Sequence, residues 1–103
     1  MPGTPFTVDV ERAEDTVLVL GGDVNRGAQA GLEDAYGEAE SGPGRLVLDF
    51  GNVDFINSTG IAVIVGILAR ARAAGREVVA IGLSDHYREV FRITRLSDFM
   101  LIG

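Results

Sequence analysis

Two adjacent hydroxyls, Ser58 and Thr59, sit inside the run Asn57-Ser58-Thr59-Gly60 and directly precede the apolar stretch Ile61-Ala62-Val63-Ile64-Val65. Side-chain oxygens at the head of a helix accept hydrogen bonds from the free N–H groups of its first turn. A hydroxyl there also lies in the positive end of the helix dipole. If phosphorylated, it gains about −1.5 to −2 charge beside unpaired amides. Such a site would suit phosphorylation of Ser58, with Thr59 as the alternative acceptor, although on spacing alone a plain cap is the commoner outcome. The plainer reading makes Ser58 an N-cap contributing about 1 kcal/mol. Gly60 permits either the close approach of a partner backbone or the loop-to-helix geometry itself.

Few other residues offer chemistry. His86 is the single histidine; one imidazole without placed carboxylates makes neither a triad nor a metal centre, and it reads as a surface residue. Asp23 and Asp54 are acids near the hydroxyl pair, in turn-favouring contexts. Glu33, Asp34, Glu38 and Glu40 read as a solvated helix face. Neither a phosphate-binding Walker loop nor a Gly-rich dinucleotide fingerprint is present. No catalytic residue, metal or cofactor is therefore expected, and the chain reads as a binding protein rather than an enzyme.

The bulk numbers agree. A chain of 103 residues suffices for one domain, spanning 1–103, with one core. Hydrophobic residues make up 47% and charged residues 23%, which is incompatible with disorder. The formal net charge of −6 opposes nucleic-acid binding, which needs clustered cations. All nine cations are arginine. Without cysteine there are neither disulfides nor thiolate metal sites. The first residues carry no basic and apolar leader, and no apolar run approaches the ~20 residues of a membrane span. A cytoplasmic location without membrane insertion is expected.

The elements that must hold Ser58 follow from periodicity. Phe6, Val8 and Val10 alternate with polar residues as a strand with one wet face. A turn at Ala13-Glu14-Asp15 leads to a more buried strand, Val17 to Leu20, which Gly21-Gly22 is expected to break. Ala28, Leu32, Ala35, Tyr36 and Ala39 keep helical spacing, while Gly31 and Gly37 weaken that helix by roughly 1 kcal/mol each. Ser41-Gly42-Pro43-Gly44 stops it. A central strand begins at Leu46 and closes at Asp49 and Phe50, followed by a short polar turn. A helix then runs from about Ser58 to Ala74, with Gly75 as its C-cap. Its core face is Ile61, Ile64, Val65, Leu68 and Ala71. Ala62, Gly66, Ala69 and Ala73 form a small-residue ridge outside, with Val63 and Ile67 at the margin. Val78 to Ile81 is the next strand. Ser84 or Asp85 caps a third helix reaching about Thr94, with Tyr87, Val90, Phe91 and Thr94 inward. Phe99 to Ile102 is the last strand. The order β-β-α-β-α-β-α-β implies a mixed α/β sheet with right-handed crossovers.

The run Val53-Asp54-Phe55-Ile56-Asn57-Ser58-Thr59-Gly60-Ile61 resembles the signature of STAS domains, in particular the bacterial anti-sigma factor antagonists. The resemblance extends from Phe6 to Ile102. It implies the STAS fold, a small mixed sheet with helices mainly on one side. Such domains usually carry a further helix after the last strand; here that helix is expected to be missing or to belong to a longer native protein, and its absence would open an apolar groove for a partner or a second copy. The resemblance further implies that the unphosphorylated protein binds an anti-sigma factor with serine kinase activity and so releases a sigma factor. Phosphorylation of Ser58 by that partner switches it off, and a serine phosphatase restores it. The implied partner surface is Asp23, Asn25, Asn57, Ser58, Thr59, Gly60, Ala62, Val63 and Gly66. A homodimer remains open. Two departures stand out: Asn57 where antagonists commonly have aspartate, and Gly22-Asp23-Val24-Asn25 where they often have Gly-x-Leu-Asp. Amides thus replace two carboxylates, lowering repulsion towards an incoming phosphate and removing a contact for a kinase. The alternatives are a STAS subunit or regulatory domain of a membrane transporter (a lipid ABC complex or an anion transporter), and a nucleotide-binding sensor.

Overall fold

The alternation at the N-terminus forms strand β1, Thr7–Arg12, which turns through Ala13-Glu14-Asp15 into the antiparallel strand β2, Thr16–Val24. The computed structural model describes residues 3–103. Helix α1, Gln29–Ala39, strand β3, Leu46–Ile56, helix α2, Ser58–Ala73, and strand β4, Val78–Ile81, follow. Helix α3, Asp85–Ile93, and the short strand β5, Leu101–Ile102, complete the chain. The sheet order is β1-β2-β3-β4-β5, with only β1/β2 antiparallel. All three helices pack on one face. There Leu18, Leu20, Leu46, Leu48, Phe50, Val78 and Ala80 meet Leu32, Tyr36, Ile64, Leu68 and Phe91 in a single core. The Phe50 and Phe91 rings meet edge to face at 5.6 Å.

Helix α1 buries the apolar set its spacing implies: Leu32, Ala35, Tyr36 and Ala39, with Ala28 buried in the 3₁₀ turn just before it. Its C-terminal loop is pinned by Arg76, whose guanidinium donates to the carbonyls of Ala39, Gly42 and Gly44 at 2.6, 3.0 and 3.2 Å. Gly75, at φ 75°, reverses the chain after α2 and lets the Arg76 amide reach the Ala71 carbonyl.

Several expectations are corrected. Gly21 and Gly22 do not break β2, and β3 does not close at Phe50. The two strands continue side by side, pairing Gly21 with Asn52 and Val24 with Ile56, with register shifts on either side of the Gly21-Gly22 pair. The glycines are needed for this. Gly22 lies at φ 73°, and a Cβ there would sit 2.0 Å from the Pro5 carbonyl oxygen. Since β4 pairs with β3 only as far as Asp49, the second half of β3 pairs with β2 alone, a two-stranded arm whose end residues, Val24 and Ile56, are packed into the core. On α2, Val65 is not core but 43% exposed, and Ile67 is not marginal but buried, because α1 lies along the Ile67 side. Thr94 is exposed and caps α3, its hydroxyl donating to the Val90 carbonyl at 2.7 Å. Phe99 lies outside the last strand and is half exposed, because Arg95 turns left-handed at φ 65° into a 3₁₀ turn, Leu96–Asp98.

Candidate functional site

The β2/β3 arm delivers Asn57 to the end of β2, where the Asn57 amide donates to the Val24 carbonyl at 3.3 Å. Asn57, in extended conformation, is the N-cap of α2: its Oδ1 accepts from the Gly60 amide at 2.8 Å. The plain-cap reading of Ser58 is thereby corrected. Ser58 is the first helical residue, exposed, and its hydroxyl has no hydrogen-bond partner among the described residues. No acidic residue occupies the first turn of α2, so the positive end of the dipole is not neutralised there. Behind it, the Tyr87 hydroxyl on α3 accepts from the Ile56 amide at 2.8 Å and fixes the last residue of β3 before the cap.

Gly60 is buried, so of its two readings the loop-to-helix geometry holds and a partner's close approach at this position does not. A Cβ there would lie 1.9 Å from the Val24 carbonyl oxygen, so the close approach is with the chain's own backbone. Asp23 is likewise not at the surface. It is 4% exposed, with Oδ2 accepting from the Thr4 amide at 3.1 Å and Oδ1 unpartnered in a cleft of about 350 Å³ lined by Thr4, Phe6 and Asn25. Asn25 is half buried and its Oδ1 accepts from the Gly27 amide at 2.8 Å, capping the 3₁₀ turn Arg26–Ala28.

Thr59, Ala62, Val63 and Gly66 are brought together along one cleft of about 240 Å³ between α1 and α2, whereas Ser58, next to Thr59 in the chain, is not part of its lining. Ala62, Gly66, Ala69 and Ala73 are all exposed, as the small-residue ridge implies. The expected partner surface missed four lining residues, Gln29, Glu33, Ile67 and Arg70. The Arg70 guanidinium stacks 4.6 Å from the Tyr36 ring centroid and pairs with Glu40 at 3.6 Å. The acidic side of α1 was the available signal, since it had to face something near the cations of α2. His86 is exposed, its ring against Tyr87. Among the described residues no cluster of three or more metal-ligating side chains occurs, and no helix is long and apolar enough to cross a membrane.

A family model described as "Mlab, STAS domain" matches residues 7–103. BtrV of Bordetella bronchiseptica is 34% identical over 79 residues, covering 76% of this chain and 68% of that protein. The anti-sigma-B factor antagonist of Listeria monocytogenes is 40% identical over 57 residues, 55% of this chain, and the match spans half of that protein's length. Among solved structures, an anti-sigma factor antagonist from Mycobacterium paratuberculosis superposes with a TM-score of 0.72 at 26% identity, covering 95% of this chain and 85% of that one. SpoIIAA in its unphosphorylated form gives 0.71 at 17% identity, covering 96% and 87%, a likeness of fold. The mixed sheet, the single helical face and the family match over residues 7–103 together establish that the chain belongs to the STAS domain family.

Proposed function

We propose that this STAS domain is an anti-sigma factor antagonist operated by phosphorylation of Ser58. The observation that carries the reading is the exposed, uncommitted Ser58 hydroxyl at the first turn of the 16-residue α2. Asn57 performs the capping, so modifying Ser58 removes no structural hydrogen bond. The names of relatives at 26–40% identity support the same assignment. The cleft between α1 and α2 receives an anti-sigma factor against Thr59, Ala62, Val63 and Gly66, and the bound anti-sigma factor releases its sigma factor. That partner also supplies the kinase chemistry. The γ-phosphoryl group of its ATP passes to Ser58 Oγ, the hydroxyl proton leaves to a base of the partner, and ADP departs. The phosphate then places about −1.5 to −2 charge in an interface shaped for a neutral hydroxyl, and the free amides of the first turn of α2 offset only part of its desolvation. A serine phosphatase resets the switch. The domain itself turns nothing over.

A second reading, a STAS subunit or regulatory domain of a membrane transporter, is favoured by Asn25 and Asn57. Both amides stand where antagonists carry carboxylates, and both are engaged in capping the chain's own turns. One experiment separates the readings: the intact mass of the protein isolated from its native cells, beside a Ser58→Ala version. A species heavier by one phosphate only when Ser58 is present supports the antagonist. Its absence under growth and stress conditions alike rejects the switch and leaves a constitutive docking module.

A further inference from the structure

The sheet face opposite the helices has no covering layer among the described residues, yet it is not polar. Residues paired across neighbouring strands point to the same side of a sheet. One such row runs Glu11–Val17–Val47–Val79–Leu101, and the next runs Asp9–Val19–Asp49–Ile81. Six aliphatic side chains from four strands therefore share this face, and none of them belongs to the core under the helices. Val47 and Val79 are shaded by their neighbours to 7% exposure, while Ile81 and Leu101 are 36% and 53% exposed. A half-wet sheet normally alternates apolar and polar residues, with the polar ones on the open side. Here β2, β3 and β4 are aliphatic on both sides, the pattern of strands covered twice.

Charge specifies what can cover it. Asp9 and Glu11 on β1 border the patch and are exposed. Asp49 lies inside it, half buried between Val19 and Ile81. Its Oδ1 accepts from the Gly51 amide at 2.9 Å, and its Oδ2 has no partner among the described residues. The neighbouring cation Arg45 is already paired with Asp15 at 3.1 Å. An apolar surface with a carboxylate at its centre and two on its border complements an apolar surface carrying cations. It disfavours a second copy of this chain, which would bring carboxylate towards carboxylate. Five strands spaced about 4.8 Å apart span about 19 Å, matched by a helix of about 13 residues at 1.5 Å each. We infer that the open sheet face docks a basic amphipathic helix, its aliphatic side on Val17, Val47, Val79 and Leu101 and its cations on Asp49, Asp9 and Glu11. This site lies on the opposite side of the sheet from Ser58 and does not depend on the proposed switch.

The test uses two synthetic peptides of about 14 residues, long enough to cross the sheet. One carries leucine on one helical face and lysine on the other; its counterpart carries glutamate in place of lysine. Amide chemical shifts of the labelled protein are followed in titrations of each. The expected result is saturable shifts on β1 to β5 with the lysine peptide only. Binding should weaken at least tenfold in an Ile81→Arg/Leu101→Arg variant, whose exposed positions leave the fold intact. Asp49→Asn, which keeps the acceptor for the Gly51 amide, should weaken it severalfold, while Val65→Arg on α2 should leave it unchanged. Shifts confined to the groove lined by Val65, Leu68, Ala69, Leu96 and Phe99 on the helical side, equal binding of the glutamate peptide, self-association through this same face, or no saturable binding would each overturn the inference.

Discussion

Gly60 and Gly66 lie on the same helix, and the same substitution should move stability in opposite directions at the two. At Gly60 an added Cβ falls 1.9 Å from the Val24 oxygen and 2.6 Å from its carbonyl carbon. An ordinary carbon–oxygen contact needs about 3.3 Å, so the helix start must retreat from β2 by more than an ångström. Both colliding atoms are backbone, so no rotamer change relieves the clash. The retreat also stretches the bond from the Asn57 amide to the same oxygen, already at 3.3 Å. Overpacking of about 1–3 kcal/mol plus about 1 kcal/mol for the bond, less about 1 kcal/mol of helix propensity, leaves a loss of about 1–3 kcal/mol. For a domain of this size that lowers Tm by roughly 4–24 °C. At Gly66 a Cβ meets nothing within 4 Å, so propensity acts alone, and Gly66→Ala should gain about 1 kcal/mol, or about 4–8 °C. Thermal and urea unfolding followed by far-UV circular dichroism measures both changes. If Gly60→Ala moves Tm by less than about 2 °C, or the two variants shift in the same direction, the contact between α2 and β2 is not the constraint described.

Three further outcomes follow from named contacts. Ser58→Asp places a charge in an acid-free first turn without disturbing the Asn57 cap. It should raise Tm of the free domain by about 2–4 °C, from a dipole gain of about 0.5 kcal/mol, while abolishing anti-sigma factor binding in a pull-down. A fall in Tm would contradict the placement of Ser58. Tyr87→Phe removes the acceptor of the Ile56 amide and should cost about 1–2 kcal/mol, with hydrogen exchange at Ile56 accelerating more than at Val78. The Arg45 side chain and amide hold the Asp15 carboxyl below its ordinary value, so its stabilising effect is present above the unfolded pKa and is lost as pH falls through the folded one. An NMR titration should place its midpoint below the ordinary aspartate value, and Arg45→Met, which removes the guanidinium but keeps the backbone amide, should raise it part of the way back.

Much of the fold was legible because it is written in local periodicity. The face of α1, the span of β4, a cap at Ser84 or Asp85 (Ser84 in the structure) and the Gly75 terminator each depend on residues within one or two turns. What escaped depends on pairs distant in sequence. Gly21-Gly22 reads as a break, yet the partner strand supplies Asn52 to Ile56 and the bulges let pairing continue. The rotation of α2 that buries Ile67 and exposes Val65 is set by α1, which a pattern of nearly uniform apolar residues cannot indicate. The site shows the same division. That a cap and a hydroxyl lie at the start of α2 is in the tetrapeptide itself. That Asn57 takes the capping role, and that Gly60 faces Val24 rather than a partner, depends on where the arm of β2 and β3 ends.

The amide at position 57 has an electrostatic consequence for the proposed switch. Helix geometry leaves the Ser58 and Thr59 amides without intrahelical acceptors, so a negative group on Ser58 has donors beside it. A carboxylate at the cap would compete for the same positive potential. Asparagine and aspartate cap about equally well, so Asn57→Asp alone should change stability by less than about 0.5 kcal/mol. Combined with Ser58→Asp, it sets two like charges about 6 Å apart near the surface, a repulsion of at least about 0.7 kcal/mol in water. The double-mutant cycle from Tm and urea midpoints should therefore show an unfavourable coupling of that size, shrinking as salt is raised. Additivity within about 0.3 kcal/mol would mean that the cap and the hydroxyl do not share a field. Asparagine at 57 would then be a structural choice, with no bearing on the charge that the site can accept.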